Sequence, residues 1–197
     1  MNAKKIVSAG LALVMVAGIS VAGTLAYLTS VSAEVKNTFT VGKVAIELDE
    51  TDITNPKGDR VTSNDYGKVT PGTVYDKDPI VHLDLASEDC YVFVKVTNGL
   101  GENEAPSVVG GYQDIDAQIL ANDWTLYNET GNVSIYYKNI DVSELNGDGD
   151  LEVFEHFCID TDVTNSQAME PITIKAAAIQ SAGLELDAAY NEIAANL

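Results

Sequence analysis

Positive charge is what this sequence has least of. Lysine and arginine together number 11 against 30 aspartates and glutamates, Arg60 is the only arginine, and the formal net charge is −19. A surface this acidic repels phosphate backbones and anionic lipid headgroups, and no basic cluster overrides that repulsion, which argues against nucleic acid as a partner. Histidine is almost as scarce, with only His82 and His156. There is no H-E-x-x-H, so the zinc-protease helix with two imidazoles one turn apart is absent, and there is no G-x-S-x-G nucleophile turn. Cysteine occurs twice, and no internal repeat or long low-complexity linker interrupts the chain. The hydrophobic share of 46% is nevertheless enough for a real core, and 197 residues leave room for one domain plus a targeting segment.

The targeting segment is at the start. Lys4 and Lys5 precede the uncharged run from Ile6 to Ala22, and no further charge occurs before Glu34. A short basic region, an apolar core and small residues at Gly23, Thr24 and Ala26 read as an export signal over residues 1–26, cut between Ala26 and Tyr27. On length alone a retained anchor stays open. Cleavage removes two lysines from a chain at −19 and leaves the mature protein at −21. An exported chain with two cysteines allows one disulfide. However, Cys90 keeps the phase of Val92, Val94 and Val96, whereas Cys158 falls out of phase with Leu151, Val153, Phe157 and Ile159. Opposed faces favour two partly buried free thiols.

Beyond the signal the dominant pattern is alternation, the period of a strand with one buried face. Val31, Ala33, Val35, Asn37, Phe39 and Val41 form one face against Ser32, Glu34, Lys36, Thr38 and Thr40. At Gly42 the phase flips to Val44, Ile46 and Leu48, as at a bulge or hinge. A polar loop rich in Gly, Pro, Asn and Asp follows over residues 49–72. Val81, Leu83 and Leu85 share a face, and residues 90–98 are apolar on both faces, the mark of a central strand covered on two sides. Ile115, Ile119 and Leu120 predict one or two helical turns, and residues 124–128 and 133–140 a hairpin across Glu129–Gly131. Residues 151–159 and 172–181 read as two further strands, and Leu186, Tyr190, Ile193 and Leu197 as the stripe of a short helix capped by Asp187. The expected fold is all-β: a single antiparallel, jelly-roll-like β-sandwich over residues 27–197 with a few short helices.

Candidate chemistry is thin. Either cysteine could pair with either histidine as a nucleophile and base, but two of each offer such pairs by chance. Asn146, Asp148 and Asp150 alternate like the first three ligands of a calcium loop, yet Leu151 replaces the required glycine and Phe157 the bidentate glutamate, so no dedicated metal or other cofactor is expected. Tyr91, Tyr127 and Tyr136, if outward, would allow a carbohydrate-binding face.

The residues Gly23-Thr24-x-Ala26-Tyr27, Asn37-x-Phe39-Thr40-x-Gly42 and Val44-x-Ile46-x-Leu48 resemble the start of the TasA/camelysin group of exported proteins of Gram-positive bacteria. Residues 71–98 and 172–183 are similar to the same group. The resemblance implies a SipW-type signal peptidase cutting after Ala26, no membrane attachment after that cut, and a secreted, non-enzymatic jelly-roll subunit of biofilm-matrix fibres. Its partners would be further copies or related matrix proteins. In such fibres the N-terminal segment, here residues 27–42 with Val31, Val35, Phe39 and Val41 registering the insertion and Gly42 as hinge, pairs with the sheet of the next subunit. A contact of that kind is heterologous and propagates as a filament. The camelysin peptidase activity is not carried over, because the sequence holds no zinc motif. A monomeric adhesin or glycan-binding sandwich and an exported metal-dependent peptidase are the competing expectations.

Overall fold

The strand apolar on both faces is the centre of the molecule. The computed structural model describes residues 43–107, 111–145, 147–163 and 169–197. The cleavage position at Ala26 and Tyr27, the segment bearing Val31, Val35, Phe39 and Val41, and Gly42 lie outside the described residues. Numbered along the described chain, the strands are β1 (Ile46–Asp49), β2 (Val74–Asp76), β3 (Ile80–Leu83), β4 (Cys90–Thr97), β5 (Thr125–Thr130), β6 (Val133–Ile140), β7 (Asp150–Glu152), β8 (His156–Cys158) and β9 (Thr173–Gln180). Two helices, α1 (Ile115–Ala121) and α2 (Leu186–Ile193), accompany them. Every strand pairing is antiparallel, as the alternation predicts.

β4 sits inside a sheet of order β5-β6-β4-β9. Its β-branched and aromatic side chains suit a pleated surface covered on both sides. Val92, Val94 and Val96 face a core shared with Val81, Leu83, Leu151, Phe154 and Phe157 from the opposing strands. Phe93, on the other face, is fully buried with Ile135 beneath Ala189, Ile193 and Leu197 of the C-terminal segment. The layers are therefore sheet, sheet and helix, and β4 contributes to both interfaces.

The opposing layer shows one difference from the sequence expectation. Residues 151–159 do not form one strand: β7 pairs with β3 and β8 with β2, in separate sheets. Yet Val74 lies opposite Cys158, Asp76 opposite His156, Ile80 opposite Glu152 and His82 opposite Asp150. One register runs through both ladders, so they are a single ribbon bent in the middle. Pro79 has no N–H to donate at the bend, and Phe154 is turned wholly into the core. The ribbon is still held there by Lys77 N–H to Glu155 O (2.9 Å) and Val153 N–H to Pro79 O (3.0 Å).

What the bend leaves unpaired, α1 supplies. Gln118 Nε2 donates to His156 O at 2.9 Å, and its Oε1 accepts from Glu155 and His156 N–H at 3.0 and 3.2 Å. Trp124 Nε1 donates to Glu152 O at 2.7 Å. The helix starts at Asp114, whose side chain accepts from Ala117 N–H at 2.8 Å. It ends with Asp123 at φ 61°, Asp123 N–H on Leu120 O and Trp124 N–H on Ile119 O, a Schellman closure with aspartate where glycine is usual.

Two smaller expectations also change. The β5–β6 turn is the tighter Gly131-Asn132, with Gly131 at φ 63°, and a register shift between Leu126 and Asn128 leaves Tyr127 as the extra residue of a bulge. The residue before α2 is Glu185, which makes no side-chain cap; Asp187 lies in the first turn and accepts from Tyr127 Oη at 3.0 Å.

Replacing Gln118 with alanine strips buried backbone groups of their partners at the bend. The expected loss is about 2–4 kcal/mol of unfolding free energy with an unchanged urea m-value, measured by chemical denaturation.

Candidate functional site

Around Asp49, at the end of β1, the scarce cations of the chain converge. Arg60, from the long loop after β1, donates from Nε to Asp49 Oδ1 at 2.5 Å, from Nη1 to Asp78 Oδ2 and Thr51 Oγ1 at 3.0 Å each, and from Nη2 to Asp78 O at 2.7 Å. Lys77 and Glu50 form a buried ion pair beside it. On the solvent face of the β1-β3-β7 sheet, His82 places Nε2 2.9 Å from Asp49 Oδ1 and Nδ1 2.6 Å from Asp150 Oδ1.

Burial opposes charge on this imidazole, but the hydrogen bonds to Asp49 and Asp150 outweigh it and raise the His82 pKa above its ordinary value. Asp49 is pushed up by burial and pulled down further by Arg60 and His82, so its carboxyl is held below the usual range. Both ring nitrogens of His82 lie against carboxylates, so neither nitrogen faces open space where a nucleophile or a metal ion could approach it. His82 alternates with the buried Val81 and Leu83 and so lies on the opposite face of its strand. Its partners, 33 and 68 residues away in the chain, were not visible in the sequence.

The cysteines are two free, buried thiols in different apolar clusters. Burial, with the nearby Asp89 charge, pushes the Cys90 thiol up to about 11. Burial and Asp160 raise Cys158 as well. A thiol in such surroundings is a poor nucleophile. His156, two residues from Cys158, lies against the Tyr112 ring with centroids 5.4 Å apart.

The calcium-loop candidates divide. Asn146 lies outside the described residues, Asp148 is exposed, and Asp150 is engaged by His82. The turn between them serves the ribbon: Gly149, at φ 82°, accepts from Leu83 N–H at 2.9 Å, and a Cβ there would come within 2.2 Å of Leu83 O. Among the described residues no group of three or more His, Cys, Asp or Glu side chains is arranged to hold a metal ion.

The tyrosines are a correction. Tyr136 does not face outward: it is 1% exposed, and its hydroxyl donates to Asp116 at 2.5 Å. Tyr91 and Tyr127 are half-buried in the layer under α2, where Tyr127 and Tyr190 lie 4.5 Å apart. A sugar-stacking platform built from these three is not available.

Two clefts remain. One, of about 500 Å³, is acidic, lined by Asp76, Asp78, Glu152, Glu155 and His156. Within it burial and the Glu155 charge raise the pKa of Glu152. The other is a groove in two parts of about 470 and 390 Å³ that share Asn64, Lys77, Pro171 and Ile172. It runs between the loop at Thr62–Gly67 and the segment entering β9, with Leu48 of β1, Phe157 and Ile174 among its apolar walls. β1 and β9 are both edge strands that approach each other from the two sheets, and among the described residues neither is hydrogen-bonded to a strand on its outer side. No family model, curated protein or solved structure matches the chain.

Two outcomes follow from this chemistry. Native protein should resist a thiol reagent at neutral pH and release two equivalents only on unfolding; fast labelling of either cysteine in the folded state would contradict the burial argument. Replacing Arg60 with alanine should cost about 1–3 kcal/mol, since the pair is partly exposed. It should also open the loop after β1 to limited proteolysis, read by mass spectrometry.

Proposed function

We propose that the protein is a secreted structural subunit of an extracellular matrix that assembles by strand addition from one copy to the next. The observation that carries this reading is the edge of β9, eight residues long with no partner on its outer side among the described residues. Such an edge offers a row of backbone donors and acceptors to any extended segment. Its middle is Ala176-Ala177-Ala178, small side chains that let another backbone approach, with Lys175 the only charge. Beside its start lies the groove shared with Leu48, so an added strand would find apolar surface as well as hydrogen bonds.

The segment suited to add is the alternating stretch over residues 31–41, immediately before β1. Its apolar face, Val31, Val35, Phe39 and Val41, would set the register, and Gly42 would let it swing from its own domain. Backbone pairing supplies affinity, and side-chain pockets on alternate positions supply specificity. Because donor and acceptor surfaces differ, the contact repeats without closing. The role needs no cofactor and no catalytic residue. It places the mature chain outside the cell, free of the membrane after cleavage at Ala26.

Secreted chain beginning at Tyr27 should form filaments visible by electron microscopy, and Phe39→Asp with Val35→Asp should abolish them while leaving the circular dichroism of the domain unchanged. Filaments that persist in the double variant would sink strand donation.

A further inference from the structure

His82 is the middle of a charge arrangement that only a proton completes. On the outer face of the β1-β3-β7 sheet, the register puts Glu47 and Asp150 directly opposite His82, with Asp49 and Glu152 opposite Ile80, the next residue on that face. Four carboxylates thus flank one imidazole. Of the cations near them, Arg60 is bonded to Asp49 and Asp78, and the Lys138 charge acts on Glu152. His82 touches two of the four, one on each neighbouring strand: Asp49 of β1 and Asp150 of β7.

A carboxylate only accepts hydrogen bonds, so holding both requires two N–H donors, and only the imidazolium has two. The neutral ring keeps one N–H and turns a lone pair toward the other carboxylate at hydrogen-bond distance. Which contact fails is set by the remaining neighbours. Asp49 is already neutralised by Arg60, whereas among the described residues Asp150 has no other side-chain partner. The single proton therefore stays on Nδ1 facing Asp150, and the lone pair on Nε2 faces Asp49.

We propose that His82 is a proton-operated latch that ties the edge strand β1 to β3 while charged and loosens it when neutral. A raised folded-state pKa means that the latch contributes fully below the ordinary histidine value and is lost as pH rises through the folded value. At the acid end, the lowered pKa of Asp49 means that its half of the latch persists until pH falls through that lowered value. β1 is thus held most firmly in mild acid. The latch rests on the sheet register and the His82 contacts and stands or falls independently of filament formation.

The test is hydrogen exchange on the full-length protein, read by mass spectrometry and corrected for intrinsic rates. Protection of residues 46–49 should fall about tenfold between about pH 6 and pH 8.5, relative to β4 as internal standard. His82→Gln should make it low and independent of pH. In parallel, long-range proton–nitrogen NMR of the unmodified protein should give His82 a midpoint above about 6.5 and show the neutral ring protonated on Nδ1. β1 protection that does not change with pH, a midpoint at or below the ordinary value, or a neutral ring protonated on Nε2 would each overturn the latch. The NMR readout decides the matter even if His82→Gln does not fold.

Discussion

In a chain this acidic, the placement of its few cations decides which surfaces can come together. Three cationic side chains, Arg60, Lys77 and His82, meet Asp49, Glu50, Asp78 and Asp150 along one seam. Without them the end of β1, the start of β3 and β7 would bring carboxylates together with nothing between them. Arg60 does more than neutralise. Its planar fork reaches two carboxylates, a hydroxyl and a backbone carbonyl at once, which a lysine point charge could not do. The long loop after β1 is fastened to the sandwich through that side chain, through Lys77–Glu50, through Thr51, which donates to both Asp78 carboxylate oxygens, and through Tyr66 Oη, which donates to Asp76 O, while Asn64 ties the loop to itself by donating to Thr51 O and accepting from Ile53 N–H.

The same economy of contacts shapes the ribbon of β2, β3, β7 and β8. One register passes through the bend at Pro79, and Phe154, Gln118 and Trp124 convert the break into a junction between the sheet layers and α1. The bend puts Phe157 and Ile159 at the floor of the groove beside β9. The irregularity in one ribbon therefore makes the apolar surface that an added strand would meet.

Much of the fold was legible because periodicity reports burial. β4 read as doubly covered since both its faces are apolar, and α1 and α2 showed their stripes. What the sequence could not show were choices between equally apolar alternatives and contacts across long separations. Residues 151–159 alternate like one strand, and only Pro79, on the partner strand, breaks the ladder. Tyr136 looks like a surface tyrosine until Asp116, from α1, is found beside its hydroxyl. The cation seam was the least legible feature, because Arg60 sits in a loop that reads as solvent-exposed and His82 finds its partners on two other strands. The single arginine in an acidic loop was the one available signal.

Among the described residues the domain is a sandwich covered on one face by a helix, with no strand hydrogen-bonded to the outer side of β9 or β1. The alternating segment next to β1 and the unpartnered edge of β9 are complementary in kind, and the account depends on whether they meet between chains. The direct measurement is a mixed cross-link. Chains beginning at Tyr27 that carry Phe39→Cys are combined with chains that carry Lys175→Cys, oxidised, and sized by mass spectrometry. The account predicts a disulfide joining the two different variants, at the introduced cysteines. No cross-link between the two variants, while a separate chain carrying both substitutions closes its own disulfide, would contradict it.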